Sequence, residues 1–389
     1  MITLRGRSIG FNAAAIERDS TILRLSSDER RPAPLKAREG YIHSHGDLPR
    51  GFGWYLLKSA EFIGQVPDGA PGAVLPQEFD YLGDGDVVRL EPARGGVRTL
   101  FRKASPYNHF MLTERCNNYC LMCSQPPRQI DDGWIVDEVL EALPLIDRGA
   151  AEIGFTGGEP TLLGSRFVQL VQATGSHLPK TALHVLSNGR LFAQGSLARD
   201  LAAVRHHDLM IGIPVYADLA HVHDHVVQAD GAFDETIRGI LALKQHGLRV
   251  EVRVVLQAQT IPRLTALARF LTRNLLFVDH VALMGLEITG FARANLDRIW
   301  IDPADYQAEL AEAVGILDRA GMSVSIFNSQ LCVLEPSLWP FARRSISDWK
   351  NEYMPECEGC EAKGMCGGFF SSAKYQYSRA IRPILSAAA

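Results

Sequence analysis

The sequence contains no run of about 18 uncharged apolar residues, and so offers no transmembrane helix. Residues 1–20 place Arg5, Arg7, Glu17, Arg18 and Asp19 where a secretory signal would need an unbroken apolar core. Basic charge is not in excess: 40 Lys and Arg face 44 Asp and Glu, a net charge of −4. That balance argues against a nucleic-acid partner, and short basic runs such as Arg5–Arg7 and Arg343–Arg344 read as solvated faces. No repeat of solenoid period is present. Cysteine is scarce, at seven in 389 residues. These absences lead to the expectation of a cytoplasmic protein with no membrane partner and with reduced thiols. Its cysteines then serve as metal ligands or catalytic groups rather than disulfides.

What is present divides into three parts. Residues 1–105 look β-rich. Residues 82–89 and 95–103 each read as a turn and a strand, together a hairpin, while Pro32, Pro34, Pro71 and Pro76 disfavour long helices. Residues 106–322 alternate short apolar runs with amphipathic stretches. Strands are expected over 109–113, 152–156, 183–187, 209–215, 249–256 and 280–286, and helices over 132–143, 165–174, 196–204, 233–246 and 262–274. A further helix is expected over 302–320, with Asp302 as N-cap and Pro303 at its first position. Consecutive β/α units of this kind predict a parallel sheet that curls, with its active site at the C-terminal strand ends. Residues 323–389 begin with an alternating segment that contains Cys332. A cysteine knot and a frayed tail at Ala387–Ala389 follow.

The chemistry-bearing residues fall just after expected strands. Cys116, Cys120 and Cys123 form a C-x3-C-x2-C run that could place three thiolates on one iron–sulfur cubane and leave its fourth iron open. A structural zinc site needs four ligands and is usually built from paired knuckles, which fits this run poorly. Gly157-Gly158-Glu159-Pro160 follows the second strand. Its glycines allow a close backbone approach, and Glu159 offers an acceptor for an ammonium group. Ser187-Asn188-Gly189 closes the third strand, Arg253 lies in the fifth and Gly285 in the sixth. His221, His223, Asp224 and His225 suggest a metal cluster, but a loop that positions a ligand is the preferred reading. Cys357, Cys360 and Cys366 form a C-x2-C-x5-C run, with Cys332 upstream as a possible fourth ligand.

These motifs resemble the radical S-adenosylmethionine (SAM) superfamily. The cysteine run is similar to its CxxxCxφC motif, with Met122 where an aromatic residue is usual. The resemblance implies a partial (β/α)6 barrel in which a [4Fe–4S] cluster on Cys116, Cys120 and Cys123 binds SAM and cleaves it to a 5′-deoxyadenosyl radical. It assigns Gly157, Gly158, Glu159 and Pro160 to the methionyl amine, Ser187 and Asn188 to the ribose side, Arg253 to the SAM carboxylate and Gly285 to adenine. The C-terminal run resembles the SPASM and twitch modules. This implies one auxiliary iron–sulfur cluster on Cys332, Cys357, Cys360 and Cys366, with zinc as the alternative. The string from Leu112 to Pro127, the hairpin at 83–87 and the segments 366–370 and 381–384 resemble the HxsC-type maturases of His-Xaa-Ser peptide systems. That resemblance implies a ribosomally made precursor peptide as substrate, a second radical SAM maturase as partner and an external one-electron reductant. The competing readings are a radical SAM enzyme acting on a small molecule and a non-catalytic iron–sulfur or zinc protein.

Overall fold

The computed structural model describes residues 4–7, 9–344 and 352–385, so the tail at Ala387–Ala389 lies outside the described residues. The N-terminal part is a mixed sheet of eight strands: β1 (Arg5–Gly6), β2 (Gly10–Phe11), β3 (Thr21–Ser26), β4 (Gly40–His43), β5 (Trp54–Leu57), β6 (Gly72–Val74), β7 (Val87–Glu91) and β8 (Gly96–Phe101). Their order is β1-β8-β7-β3-β4-β5-β6-β2. The expected hairpin is the antiparallel pair β7 and β8. The sheet curls because its two edge strands, β1 and β2, are adjacent in sequence. The link between them is held by Ile9 N–H donating to Gly95 O (3.1 Å).

The second sheet is parallel and holds seven strands in simple sequential order. They are β9 (Asn108–Met111), β10 (Glu152–Thr156), β11 (Ala182–Leu186), β12 (Leu209–Pro214), β13 (Arg249–Leu256), β14 (His280–Gly285) and β15 (Val324–Phe327). Strand alternation gives the sheet two unlike faces. Ile153, Phe155, Leu183, Val185, Ile211, Ile213, Val252, Val254, Val281 and Leu283 point outward and are essentially buried under the helices. Each such side chain contributes roughly 2 kcal/mol on removal from water. The inner face carries Glu152, His184, Glu251, Arg253, His280 and Ser325. This polar face lies on the inner, concave side of the curled sheet.

Three expectations about elements are revised. First, the sheet has a seventh strand, Val324–Phe327, inside the segment read as the start of the C-terminal module; it pairs in parallel with β14. Second, the helix expected over 302–320 begins only at Gln307, after a short turn at Pro303–Asp305. Asp302 does accept from Ala304 N, but it also accepts from Ser378 Oγ (2.5 Å) and from Arg379 N (3.1 Å). The carboxylate read as a helix cap thus also fastens the C-terminal segment. Third, the histidine-rich stretch is a helix, Ala220–Val227, rather than a loop.

The N-terminal sheet packs on the outer side of the helix Trp134–Ala142. Glu138 on that helix, nearly buried, receives Arg89 and Arg98 from β7 and β8, and Arg98 stacks over Trp134. Among the described residues, no helix is long and apolar enough to cross a membrane.

Candidate active site

The cysteine run lies in the loop after β9, and the structure fixes its path from four sides. Asp132, fully buried, accepts from Thr113 Oγ1 (2.8 Å) and Glu114 N (2.6 Å) and pairs with Arg115. Tyr119 N and Leu121 N donate to Val227 O and Val226 O at the end of the histidine-bearing helix. Phe291 N donates to Cys123 O (2.8 Å), and Asn295 Nδ2 to Leu121 O (2.9 Å). Arg190, held by Glu235 (2.6 Å), donates from Nη1 to both Asn117 O and Asn118 Oδ1 (2.7 Å each).

Glycine at 157 and 158 is required by this loop. A Cβ on Gly157 would lie 2.5 Å from Thr113 O, and one on Gly158 would lie 2.1 Å from Arg115 O; Gly157 also has φ +136°. Their freedom is therefore spent on the incoming cysteine loop, whose carbonyls accept from Gly158 N and Glu159 N (2.7 Å each). Glu159 departs from its expected part as an open acceptor. It is fully buried, and its carboxylate accepts from Thr161 N (3.0 Å), Thr161 Oγ1 (2.5 Å), Ser187 Oγ (2.7 Å) and Asn188 N (2.6 Å). Burial pushes its pKa up against those hydrogen bonds. The carboxylate welds the end of β10 to the end of β11. Pro160, buried beside it, opens the next turn. Asn188 completes the weld toward the thiols: its Nδ2 donates to Asn117 Oδ1 (2.6 Å) and lies 4.0 Å from Cys116 Sγ.

Cys116, Cys120 and Cys123 are unpaired and feel one another's charge. Burial pushes the Cys116 thiol up to about 11 and raises those of Cys120 and Cys123 as well. The surroundings suit sulfur. Asn118 N donates to Cys116 Sγ (3.4 Å), and Cys120 packs against an apolar cluster that includes Leu121, Met122 and Tyr216. Met122 is 6% exposed and packs in that cluster beside Cys120. Among the described residues no three His, Cys, Asp or Glu side chains converge closely enough to hold a single metal ion. Three neighbouring thiols with an N–H donor and an apolar shield fit an iron–sulfur cluster, whose assembly would displace the thiol protons.

Arg253 faces the inside of the curled sheet, as expected, and donates to Glu251 Oε1 (2.6 Å). Gly285 ends β14 beside Asn328, at a cleft bounded by Leu256 and Leu286 on one side and residues 367–370 on the other. His223 is buried and accepts from Tyr216 N through Nδ1 (3.2 Å), while Asp224 accepts from Gly231 N and Phe233 N (2.8 Å each). This histidine stretch is therefore a brace under the cysteine loop. Reading the sequence alone missed Asp132, Arg190 and Tyr216. Only Arg190 carried a signal, by following Ser187-Asn188-Gly189 directly.

The four C-terminal cysteines also gather. Burial and the charges of Cys366 and Cys357 raise the Cys332 thiol, and Cys357 feels Cys366 and Cys360. Cys332 and Cys357 share an apolar cluster with Val333, Phe369 and Ile381. Ile384 N donates to Cys360 Sγ (3.3 Å), and Glu361 N to Ile384 O (3.0 Å), so residues 381–384 lie across the thiols.

Comparison with known proteins places this geometry. Residues 110–271 match the radical SAM superfamily. The antilisterial bacteriocin subtilosin biosynthesis protein AlbA of Bacillus subtilis (strain 168) is 29% identical over 145 residues, 37% of this chain and 31% of that protein. The solved structure of native anSMEcpe with bound AdoMet and Cp18Cys peptide aligns with a TM-score of 0.50 and 16% identity, over 71% of this chain and 91% of that one, a likeness of fold. Streptococcus suis SuiB bound to S-adenosylmethionine aligns with a TM-score of 0.48 and 16% identity, over 61% of this chain and 53% of that one. The chain thus spans about a third of AlbA and about half of SuiB.

Proposed function

We infer that this chain, which carries the core of a radical SAM enzyme over residues 110–271, matures a ribosomally made peptide. The observation that carries this reading is the convergence of Cys116, Glu159, Ser187 and Asn188 at one end of a parallel sheet. When bound, a [4Fe–4S] cluster would supply the electron that cleaves SAM to methionine and a 5′-deoxyadenosyl radical. The chain's own residues do the rest. Cys116, Cys120 and Cys123 would hold the cluster, and Met122 and Tyr216 keep water from it. Gly157 and Gly158 seat the cysteine loop beside Glu159, and the side chain of Asn188 presents the polar edge that SAM would meet. Arg253 would take its carboxylate, and Gly285 borders the cleft assigned to adenine. Tyr216 is buried beside Cys120 and Cys123 and helps to exclude water where a hydrogen atom would be abstracted.

The peptide substrate rests on the AlbA relationship and on the C-terminal thiols. An auxiliary cluster on Cys332, Cys357, Cys360 and Cys366 fits four ligands with no open iron; zinc, the alternative, would need these thiols to draw closer around a single ion. A His-Xaa-Ser precursor, a second radical SAM maturase and an external reductant in the cytoplasm complete the proposal. So does a division of labour among the N-terminal sheet, the parallel-sheet core, whose boundary moves past 322 to take in Val324–Phe327, and the cysteine-bearing segment after it.

Anaerobic reconstitution with iron and sulfide, then SAM and dithionite, tests it. Wild type is expected to form 5′-deoxyadenosine and the Cys116→Ala, Cys120→Ala, Cys123→Ala variant none. Absence of iron at the triad would overturn the reading. Adding a His-Xaa-Ser peptide tests the substrate by a mass change that requires SAM.

A further inference from the structure

The inner face of the parallel sheet holds a buried ionic network that the site described above does not use. Glu251 on β13 is 6% exposed. Its Oε1 accepts from Arg253 Nη1 (2.6 Å) and lies 3.4 Å from His184 Nε2 on β11; its Oε2 lies 2.7 Å from His280 Nδ1 on β14. His280 Nε2 in turn meets Ser325 Oγ on β15 (2.9 Å). Burial alone would push the Glu251 carboxyl up. The hydrogen bond from His280, the nearby ring of His184 and the charge of Arg253 hold it well below the usual range, so it stays ionised. The network ties four strands together across the concave side. It passes over β12 only because Gly212 leaves a gap there. A Cβ on Gly212 would lie 2.8 Å from Arg253 Cδ and 3.1 Å from His184 Nε2.

The tip of Arg253 is held on the concave side between Glu251 and Met284. Tyr216, buried beside the thiols, feels the charges of Cys120, Arg253 and Cys123 together, so the guanidinium lies within electrostatic reach of the cysteine loop. Its Nη2 is steadied by Met284 Sδ (3.0 Å). A guanidinium is a flat fork, and its value to a carboxylate ligand depends on which edge it offers. Here one edge is fixed by Glu251 and Met284.

We propose that Glu251, braced by His184 and His280, is a positioning residue that orients the free edge of Arg253 for the SAM carboxylate. The proposal rests on the radical SAM reading above. An isolated Arg253 on this face would be a buried, unpaired cation when SAM is absent, which is costly; Glu251 removes that cost and sets the orientation at once. The histidines keep Glu251 from rotating toward solvent with the arginine.

The test uses the reconstituted full chain and reads SAM binding by equilibrium dialysis alongside the SAM dependence of 5′-deoxyadenosine formation. Glu251→Gln is expected to raise Kd and KM for SAM by about tenfold or more, the size of a lost charge-assisted hydrogen bond. The rate at saturating SAM and the iron content should change far less. Glu251→Asp should recover part of the affinity. A folded Glu251→Gln with wild-type Kd overturns the proposal. If that variant does not fold, His280→Asn removes one brace and leaves the ion pair, and it should still raise Kd; an unchanged Kd there also overturns the proposal. Wild type that loads iron at the triad yet binds no SAM would instead overturn the radical SAM reading on which the proposal rests.

Discussion

Cys116, Cys120 and Cys123 share one eight-residue loop whose backbone is tied to the ends of β10 and β11 and to the helix Ala220–Val227. Cys332, Cys357, Cys360 and Cys366 are instead spread over residues 332–366. Their segment is built of short 3₁₀ turns such as Pro355–Cys357 and Glu361–Gly364. The first site is thus held by elements that exist for the sake of the sheet. Among the described residues, the second is held by its own apolar cluster, the strap at 381–384 and a few single hydrogen bonds such as Gln330 Nε2 to Gly368 O (2.8 Å) and Tyr353 OH to Lys363 O (2.9 Å). Single 3₁₀ turns have weak hydrogen bonds and little stability of their own. A bound metal would therefore contribute more to the folding of the second site than of the first.

This contrast can be broken at several points. Alanine at Cys116, Cys120 and Cys123 should abolish 5′-deoxyadenosine formation and remove about four irons per chain, while circular dichroism and the melting temperature change little. Serine at Cys357 and Cys360 should do the reverse. SAM cleavage is expected to persist, while limited proteolysis begins to cut within the segment 352–385. A protease pattern identical to wild type would erase the distinction between the two sites.

Acidification should reach the first site selectively. Burial lowers His223 from 6.5 to about 4. Between those values the unfolded chain takes up a proton that the folded chain refuses. This contribution to stability is therefore full above pH 6.5 and falls by up to about 3 kcal/mol as the pH drops through that window. The helix that carries His223 supplies the carbonyls that hold Tyr119 and Leu121, so the cysteine loop should loosen with it. His223→Gln should flatten the slope of denaturant midpoint against pH over that range, and an unchanged slope would contradict this.

Two smaller effects separate the sites further. Glu159→Gln replaces one acceptor oxygen by a donor amide facing Ser187, Thr161 and Asn188, and should cost about 1–3 kcal/mol in urea unfolding. Arg379→Ala removes a largely exposed pairing with Asp302 and Asp305 and should cost no more than about 1 kcal/mol.

Much of the core could be read from the chain because its strands announce themselves locally. β10 and β13 fall on their expected residues, since each is a short apolar run with the right period and flanking turns. The alternation around β15 was visible, but Cys332 in the same segment drew it toward the cysteine knot rather than the core sheet, which only the pairing with β14 reveals. The helix beginning at Gln307 was misplaced because a partner 77 positions away, Arg379, shares the carboxylate that looked like its cap. The candidate site divides the same way. The cysteine spacing and the turns after β10 and β11 are local patterns and were visible. The Glu251 network and the Arg190 clamp join residues up to 73 positions apart and exist only once the sheet has curled. In the N-terminal part only one hairpin was legible, because two of the eight strands are two residues long and define themselves by their partners.

The sequential order of β9–β15 bears on how the molecule comes into being on the ribosome. Each strand's neighbour is the next to emerge, so this sheet can grow strand by strand, each closing one helical crossover onto the strand just made. The N-terminal sheet cannot: β1 must wait for β8, and β2 for β6, before either edge is paired. The part synthesised first is therefore expected to finish late. In pulse-labelled hydrogen exchange, protection of β1 and β2 should lag behind that of β3 and β7, whatever the fate of the core.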